Sequence, residues 1–481
     1  MNITGTTLLL TMTVAVIPKP ASLEVSPGLF QPRQNIAVPI DATSLPGLRS
    51  GELLLIRSRA DPALGPEGYE LTVATNRIVI QATTPAGLFY GLQTLRQLLP
   101  GPIPCMQIKD RPRFRWRGAL LDVARHIFPK EFLKRYIDLL AYHKLNVLQL
   151  HLTDDQGWRV QIRKYPRLTQ IGAWRDETTG DGKRYGGFYT QADLRELVAY
   201  AAARHVTIVP EIEMPGHSLA ALAAYPEFSC TGGPFKVRTT WGIERNVLCP
   251  GNEKTFEFVQ NVLDEIIRVF PSEFIHIGGD EVPKERWKAC PKCQARIRAE
   301  GLKDEHHLQS YFLRRVEQHL HMRGRRLVGW SEIREGGLPP RAVLMDWKGG
   351  AVEAATRGHD VVMSPTTHCY FDYYQSQDKT KEPKAIGGFI PLPKVYSFEP
   401  IPEELPATFH KHILGAQGNL WTEYIPTPQH AEYMAFPRQC ALAEVVWSPA
   451  AGRDWEDFHA RLKNHLKRLI AWGVNYRPPQ P

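Results

Sequence analysis

Two adjacent carboxylates follow an apolar run in the sequence His276-Ile-Gly-Gly-Asp280-Glu281. The run from Phe274 to Ile277 has the composition of a short buried strand, which places the acidic pair directly after it. Neighbouring side chains that leave a strand point in different directions. Asp280 and Glu281 therefore cannot hold a reacting bond between them in the way that paired catalytic carboxylates usually do.

Polar and aromatic residues follow the other apolar runs of the chain as well. Arg125 comes after the run Gly118 to Val123, and His151 to Trp158 follow the next run. Later groups of the same kind are Glu211 to His217, Trp330, Trp347, Tyr370 to Asp372, and Trp421 to Glu423. Core packing does not explain why such residues recur at the same end of each run.

The runs predict β-strands that alternate with helices. The predicted strands are Gly118–Val123, Asn146–Leu152, Val206–Glu211, Phe274–Ile277, Arg326–Trp330, Val343–Trp347, Val361–Ser364 and Ile413–Gln417. Eight alternations over about 350 residues predict an α/β fold, a (β/α)₈ TIM barrel whose functional groups collect at the C-terminal strand ends. A doubly wound open sheet is the alternative, but no Gly-rich phosphate loop follows the first strand.

The first hundred or so residues predict a smaller α+β unit. Glu52–Ile56 and Arg77–Gln81 have the composition of strands, and Pro85–Leu99 has leucines spaced for one face of a helix. We place the boundary near Asp110, which gives a small α+β non-catalytic domain at 1–110 and the barrel catalytic domain at 111–481.

Composition excludes some classes of protein. With 43% hydrophobic and 23% charged residues, the chain has the composition of a globular protein. The net charge of +9 comes from Lys and Arg scattered among acids, so no nucleic-acid partner is predicted. The apolar segment Ile3 to Val16 is too short to span a bilayer and lacks the basic start of a signal peptide. We expect no membrane span, and we favour export to the periplasm or the exterior.

The residue types at the strand ends suit a carbohydrate. Trp and Tyr rings offer flat faces to a pyranose, and Asp, Glu and Arg supply the hydrogen-bonding groups that hydroxyls require. The motifs that carry these residues resemble those of the family-20 glycoside hydrolases: Arg117 to His126, His151 to Trp158, Pro215 to His217, His276 to Glu281, and Trp421 to Glu423. The resemblance extends over nearly the whole chain. It implies a retaining exo-β-N-acetylhexosaminidase that releases terminal GlcNAc or GalNAc from glycans or chitooligosaccharides.

The resemblance also implies a mechanism. Family 20 is one of the substrate-assisted exceptions among glycosidases. Glu281 would serve as general acid and base, and the substrate's 2-acetamido oxygen would attack to give an oxazolinium intermediate. Asp280 would orient and stabilise the acetamido group. To act as an acid near neutrality, Glu281 is expected to have a raised pKa because of partial burial and the charge of Asp280.

Nine further site residues are implied by the same resemblance: Arg125, Asp154, His217, Trp330, Trp347, Tyr370, Asp372, Trp421 and Glu423. Tyr370 would hold the acetamido oxygen near the anomeric carbon, and the tryptophans would wall the sugar and the acetamido methyl. Asp154 and His217 would orient the catalytic carboxylates, with Asp155 as an alternative to Asp154. His151 and Glu213 are expected to support the barrel rim.

Recognition of the leaving sugar is the weakest part of the resemblance. Some relatives place a Trp between the Tyr-x-Asp and Trp-Thr-Glu motifs, but this chain has none between Trp347 and Trp421, and Phe389 or Tyr396 would be weak substitutes. Two other functions stay open: a lacto-N-biosidase, and a catalytically silent sugar-binding protein. The intact pair of Asp280 and Glu281 favours an enzyme.

The seven cysteines are too few for a disulfide scaffold. Cys290-Pro-Lys-Cys293 has the spacing of half a zinc site, but no second pair of comparable spacing follows, so a turn with thiols or a small disulfide loop is favoured. Cys230 and Cys249 bracket a Gly-rich loop and are candidates for a loop-closing disulfide. No metal and no organic cofactor is predicted.

Overall fold

A computed structural model describes residues 14–32, 48, 51–57 and 60–479. Most of the segment Ile3 to Val16, a candidate for an export signal, lies outside these residues. The chain forms two compact units, one made of Met1–Arg113 with Trp447–Val474 and the other of Phe114–Val446 with Asn475–Pro481. Among the described residues, no helix is both long enough and apolar enough to cross a membrane.

The first unit has α+β architecture. Its strands are β1 (Ser22–Phe30), β2 (Leu53–Arg57), β3 (Tyr69–Val73), β4 (Ile78–Ala82) and β5 (Ile103–Asp110), and helix α1 (Pro85–Leu98) joins the last two. They form one sheet in the order β1-β5-β3-β4-β2. Alternate apolar residues of β3 and β4 point into a core that Tyr90 and Leu95 of α1 also enter.

The second unit contains a closed parallel barrel. Its strands are β6 (Trp116–Asp122), β7 (Val147–His151), β12 (Thr207–Glu211), β13 (Phe274–His276), β14 (Arg326–Trp330), β15 (Val343–Asp346), β16 (Val361–Met363) and β17 (Ile413–Leu420). Each pairs in parallel with the next, and β17 closes the barrel against β6. The eight-stranded barrel predicted from the sequence is confirmed.

Short strands and helices fill the connections. The short strands are β8 (Thr153–Asp154), β9 (Gly157–Trp158), β10 (Trp174–Arg175) and β11 (Tyr185–Gly186). The helices of the barrel connections are α2 (Lys130–Tyr142), α3 (Arg167–Gln170), α4 (Gln191–Ala202), α5 (Leu219–Ala224), α6 (Glu253–Val269), α7 (Glu285–Ala289), α8 (Pro291–Ala299), α9 (Glu305–His321), α10 (Ala351–Thr356) and α11 (Leu392–Tyr396). They are followed by α12 (Pro428–Ala435), α13 (Arg438–Trp447) and α14 (Trp455–Ala471).

The interior of the barrel is packed with side chains. Apolar residues from alternate positions of the strands form one buried cluster: Trp116, Leu120, Val147, Val209, Val328, Trp330, Val343, Met345, Val362 and Leu414. A well-packed interior leaves little freedom to the strands. The residues that directly follow the strands are therefore held on a rigid frame.

Candidate active site

A cavity of about 340 Å³ opens at the C-terminal ends of the barrel strands. This volume lies at the lower end of the usual range for ligand pockets, about 300–1,000 Å³, and suits a small ligand. All eleven site residues predicted from the sequence line it: Arg125, Asp154, His217, Asp280, Glu281, Trp330, Trp347, Tyr370, Asp372, Trp421 and Glu423. The expected rim residues His151 and Glu213 line it too.

The turn after β13 presents the acidic pair. Gly278 and Gly279 have positive φ angles of 67° and 86°, and Glu281 has a φ of 45°, which is uncommon outside glycine. A Cβ atom on Gly278 would lie 1.7 Å from Oε2 of Glu213, so only glycine fits there. The turn exposes 33% of the Glu281 side chain to the cavity but only 13% of Asp280. Backbone strain of this kind, of about 1–3 kcal/mol, is typical of functional sites.

His217 joins the two carboxylates. Its Nε2 lies 3.4 Å from Oε2 of Glu281 and 3.8 Å from Oδ2 of Asp280. Its Nδ1 lies 3.2 Å from Oδ1 of Asp154, closer than the 3.6 Å to Asp155. Asp154 is therefore the nearer of the two aspartates to His217.

Asp154 is itself held from two sides. Arg125 Nη2 lies 2.9 Å from its Oδ2, and His151 Nε2 lies 2.8 Å from the same oxygen. Burial alone would raise the pKa of Asp154, but the charges of Arg125 and His217 hold it well below its usual value. Burial also lowers the pKa of His217, yet the charge of Asp154 raises it well above the ordinary histidine value. His217 is thus protonated more readily than an ordinary histidine.

The pKa values of the acidic pair differ from the expectation. The hydrogen bond from His217 lowers the pKa of Glu281, and this effect outweighs its partial burial. Burial raises the pKa of Asp280 to about 7, with further increases from the charges of Glu332 and Glu281. The prediction of a raised pKa for Glu281 is wrong for the free protein, because the His217 side chain that contacts it comes from a different loop. Asp280 is therefore the less acidic carboxyl of the pair.

Aromatic rings form the floor and one wall of the cavity. The Trp330 ring centroid lies 5.7 Å from that of Trp421, and Trp347 stacks on Tyr370 at 6.2 Å with an angle of 20°. Buried carboxylates fix two of these rings, since Trp330 Nε1 donates to Glu211 and Trp347 Nε1 donates to Glu332, both at 2.9 Å. The rings enclose a rigid apolar space next to Asp280 and Tyr370.

Four carboxylates of the cavity keep buried oxygens without hydrogen-bond partners in the described part of the chain: Glu213 Oε2, Asp280 Oδ1, Asp372 Oδ1 and Glu423 Oε2. Buried polar groups normally have partners. Burial and the mutual proximity of Asp372 and Glu423 raise the pKa of Asp372 well above its usual range. These oxygens are suited to accept hydrogen bonds from hydroxyl or amide donors of a ligand.

Comparison with known proteins decides the family. The chain matches Glycosyl hydrolase family 20, catalytic domain, over residues 114–450, and domain 2 of the same family over residues 49–111. The chain belongs to glycosyl hydrolase family 20. This confirms the resemblance seen in the sequence motifs and the barrel with a small preceding domain.

Relatives and solved structures of family 20 extend over most of the chain. A β-hexosaminidase of Porphyromonas gingivalis is 48% identical over an alignment of 447 residues, which covers 90% of this chain but 57% of that protein. This chain thus spans little more than half the length of that relative. A β-hexosaminidase of Akkermansia muciniphila is 38% identical, with 88% of each chain covered. The crystal structure of a family-20 exo-β-N-acetylglucosaminidase from Vibrio harveyi in complex with N-acetylglucosamine is 36% identical, with a TM-score of 0.86 over 98% of this chain and 79% of that chain.

Sequence reasoning missed part of the cavity of this family-20 protein. The lining also includes Trp241, Gly242, Ile243, Tyr373, Ile386 and Tyr424. The side chains of Ile243 and Ile386 are about half exposed, so they form an apolar rim. Neither Phe389 nor Tyr396 is among the lining residues, and the Tyr396 hydroxyl instead donates to Glu444 at 3.0 Å. Trp241 lies in a loop whose sequence has no strand pattern. The Gly-rich composition of that loop is the one sequence feature that could have drawn attention to Trp241.

Proposed function

We propose that this family-20 chain is a retaining exo-β-N-acetylhexosaminidase that releases terminal, non-reducing GlcNAc or GalNAc from glycans or chitooligosaccharides by substrate-assisted catalysis. One observation carries the proposal: Nε2 of His217 lies within 3.8 Å of carboxylate oxygens of both Asp280 and Glu281. Asp280 neighbours Glu281 in the chain, and only 13% of its side chain is exposed, so it is poorly placed to attack an anomeric carbon in the open cavity. Family 20 is among the substrate-assisted exceptions, in which the nucleophile comes from the substrate.

Glu281 is the better placed of the two to act as the acid. Its side chain is the more exposed of the pair and faces the open cavity, where the leaving group departs. In the first step the Glu281 carboxyl gives its proton to the glycosidic oxygen while the acetamido oxygen bonds to the anomeric carbon, which breaks the glycosidic bond. In the second step the Glu281 carboxylate takes a proton from water, which attacks the anomeric carbon and reopens the oxazolinium ring. Two displacements at one carbon give retention.

Asp280 and Tyr370 position the acetamido group. The unpartnered Oδ1 of Asp280 accepts the hydrogen bond of the acetamido N–H, and its negative charge stabilises the positive charge that develops on the oxazolinium. The Tyr370 hydroxyl, beside Trp421, donates to the acetamido oxygen. The apolar wall formed by Trp330, Trp347 and Trp421 takes the methyl group. An oriented intramolecular nucleophile replaces a protein nucleophile at high effective concentration.

A second group of lining residues, which includes Arg125 over the Trp421 ring, binds the ring hydroxyls. Arg125 is 7% exposed and is held by Asp154, so its guanidinium is fixed in direction. Asp372 Oδ1 and Glu423 Oε2 are acceptors without partners among the described residues. Together they provide donors and acceptors for the hydroxyls of one terminal sugar. This closed end of the cavity supports release of single residues from a chain end.

Substrate binding moves the proton of the acidic pair. A hydrogen bond from the acetamido N–H stabilises the charged form of Asp280 and lowers its pKa, whereas the glycosidic oxygen accepts a hydrogen bond from protonated Glu281. The proton that Asp280 holds in the free protein therefore passes to Glu281 in the complex. The active form of the free enzyme is therefore the one in which Asp280 and Glu281 together carry a single proton.

The pH dependence of kcat/KM tests this account, because that ratio reports the pKa values of the free enzyme. We expect kcat/KM to fall tenfold per pH unit above about 7, where Asp280 loses the shared proton. In Asp280→Asn only Glu281 can hold the proton, and His217 lowers its pKa. The basic limb of the variant should therefore move to lower pH. A basic limb that stays at the same pH in the variant contradicts the assignment.

Hydrolysis of aryl glycosides tests the proposed function. Purified protein should release p-nitrophenol from the β-GlcNAc or β-GalNAc glycoside, while the β-glucoside, which lacks the acetamido group, should stay intact. The first sugar seen by NMR should be the β-anomer. Cleavage only of an aryl disaccharide would indicate a lacto-N-biosidase, and binding of GlcNAc without cleavage would indicate a silent sugar-binding protein.

A further inference from the structure

Four cysteines from three separate parts of the chain meet in one buried cluster of the barrel unit. They are Cys230, Cys249, Cys290 and Cys293, and their sulfur atoms all lie within 4.8 Å of one another. Three of the separations are 3.5 Å for Cys249–Cys293, 3.7 Å for Cys230–Cys293 and 3.8 Å for Cys249–Cys290. None of them takes part in the chemistry of the sugar site.

We propose that these four cysteines bind one structural zinc ion. In a tetrahedral Zn(Cys)₄ site with Zn–S bonds of about 2.3 Å, neighbouring sulfurs lie about 3.8 Å apart. The observed separations match this spacing. They are far longer than the roughly 2.05 Å of a disulfide bond, and every cysteine of the described chain is a free thiol.

The sulfurs form one group of four and not two pairs. Cys249 approaches both Cys290 and Cys293, and Cys293 approaches both Cys230 and Cys249. Two disulfides would instead bring the sulfurs together two by two. A shared centre for all four atoms is what a metal ion provides, and four thiolates select zinc among the common divalent ions.

The surroundings are those of a closed site. Cys249, Cys290 and Cys293 are almost fully buried, and Cys230 is partly buried. They pack in an apolar cluster with Val247, Trp287, Ile297 and Leu308. With four protein ligands and an apolar shell, no position is left for water or substrate. The role is therefore structural and not catalytic.

The backbone is shaped to bring the ligands together. Cys290 is the N-cap residue of helix α8, and Cys293 lies in its first turn. A Cβ atom on Gly251 would lie only 2.3–2.4 Å from backbone atoms of Lys292 and Cys293. Glycine at this position thus lets the chain after Cys249 approach the Cys-Pro-Lys-Cys turn closely.

The cluster connects two loops that form the sugar site. Cys230 and Cys249 close the ends of the loop that carries Trp241 and Ile243, both of which line the cavity. Cys290 and Cys293 follow Glu281 in the next connection, and Trp287 Nε1 donates to the Leu248 carbonyl at 2.9 Å. A zinc ion here would fix the loop of the cavity rim relative to the segment that follows the catalytic acid.

This four-cysteine site could not be predicted from the spacing of the cysteines in the sequence. The Cys-Pro-Lys-Cys motif has the spacing of half a zinc site, but the other two ligands are separated by a long loop and do not form a second short motif. This proposal replaces the loop-closing disulfide, for which Cys230 and Cys249 were candidates, and the expected absence of a metal. The barrel connections bring Cys230 and Cys249 to the pair, which spacing alone does not reveal.

Metal content of the whole chain tests the proposal without reference to activity. Protein purified without a metal-affinity column and dialysed against EDTA should contain about one zinc per chain by mass spectrometry. Cys290→Ser with Cys293→Ser should abolish this content, whereas Cys105→Ser, a buried cysteine of the first unit, should retain it. If the double variant does not fold, the zinc content of the unaltered chain still tests the proposal.

A thiol titration separates zinc from disulfides. After denaturation in EDTA without reductant, a zinc site leaves seven titratable thiols, the total number in the sequence. Zinc near zero, together with only three or five titratable thiols, would overturn the proposal, as would iron in place of zinc. Removal of zinc with a mercurial should lower the thermal unfolding midpoint by about 10 °C or more.

Discussion

Replacement of Glu281 by Gln should reduce kcat/KM for a GlcNAc disaccharide by about 10³-fold or more, because the amide cannot give a proton to the departing sugar oxygen. For an aryl glycoside with a good leaving group the loss in the first step should be smaller, since nitrophenolate departs with little protonation. Affinity for GlcNAc-thiazoline, which mimics the oxazolinium, should stay within a few-fold of the original. Both substrates and the inhibitor are measured on the same preparation.

Glu273→Gln is the matched control for this variant. Glu273 directly precedes β13, at the opposite end of the strand that leads to Glu281, and 60% of its side chain is exposed. The control removes one negative charge from the other end of the same strand without entering the cavity, so we expect unchanged kinetics. Full activity in Glu281→Gln on the disaccharide would rule out Glu281 as the acid.

Replacement of Asp280 by Asn should lower kcat by about 10²–10³-fold, the usual effect of removing one well-placed electrostatic group. The amide keeps the shape of the side chain but loses the negative charge that faces the developing cation. Unlike Glu281→Gln, this variant should also lose affinity for GlcNAc-thiazoline by a similar factor. Inhibition constants measured for both variants separate the two roles.

An Asp280→Asn variant that binds the thiazoline as tightly as the original would contradict the assigned role. Such a result would mean that the charge of Asp280 does not act on the acetamido group. The cavity would then have to stabilise the cation by another buried acid of its lining, such as Asp372 or Glu423. Glu273→Gln again serves as the control for a change of net charge.

Much of the barrel could be predicted because its strands are buried on both faces. Val343–Asp346 and Val361–Met363 are short, continuous apolar runs that end in polar residues, and this pattern marks both the strand and its functional end. The same reasoning located the cavity residues Trp330, Trp347 and Asp280. Local sequence carries this information because each of these residues lies at the end of its own strand or in the turn that follows it.

Contacts between loops could not be predicted in the same way. The lowered pKa of Glu281 depends on His217, which follows a different strand and adopts a φ of 46°. The rim residue Trp241 and the ligand Cys249 lie in one long connection without periodic pattern. Their positions follow from tertiary packing. A sequence therefore predicts which residues form the site better than it predicts the pKa values of those residues.

The central claim is that the substrate supplies the nucleophile and the protein does not. The rate of hydrolysis of aryl glycosides with N-acetyl, N-fluoroacetyl, N-difluoroacetyl and N-trifluoroacetyl groups tests it directly. Fluorine withdraws electrons from the carbonyl oxygen, so kcat/KM should fall steeply with each added fluorine. A rate that does not change along the series, together with a covalent sugar adduct on the protein, would contradict the account.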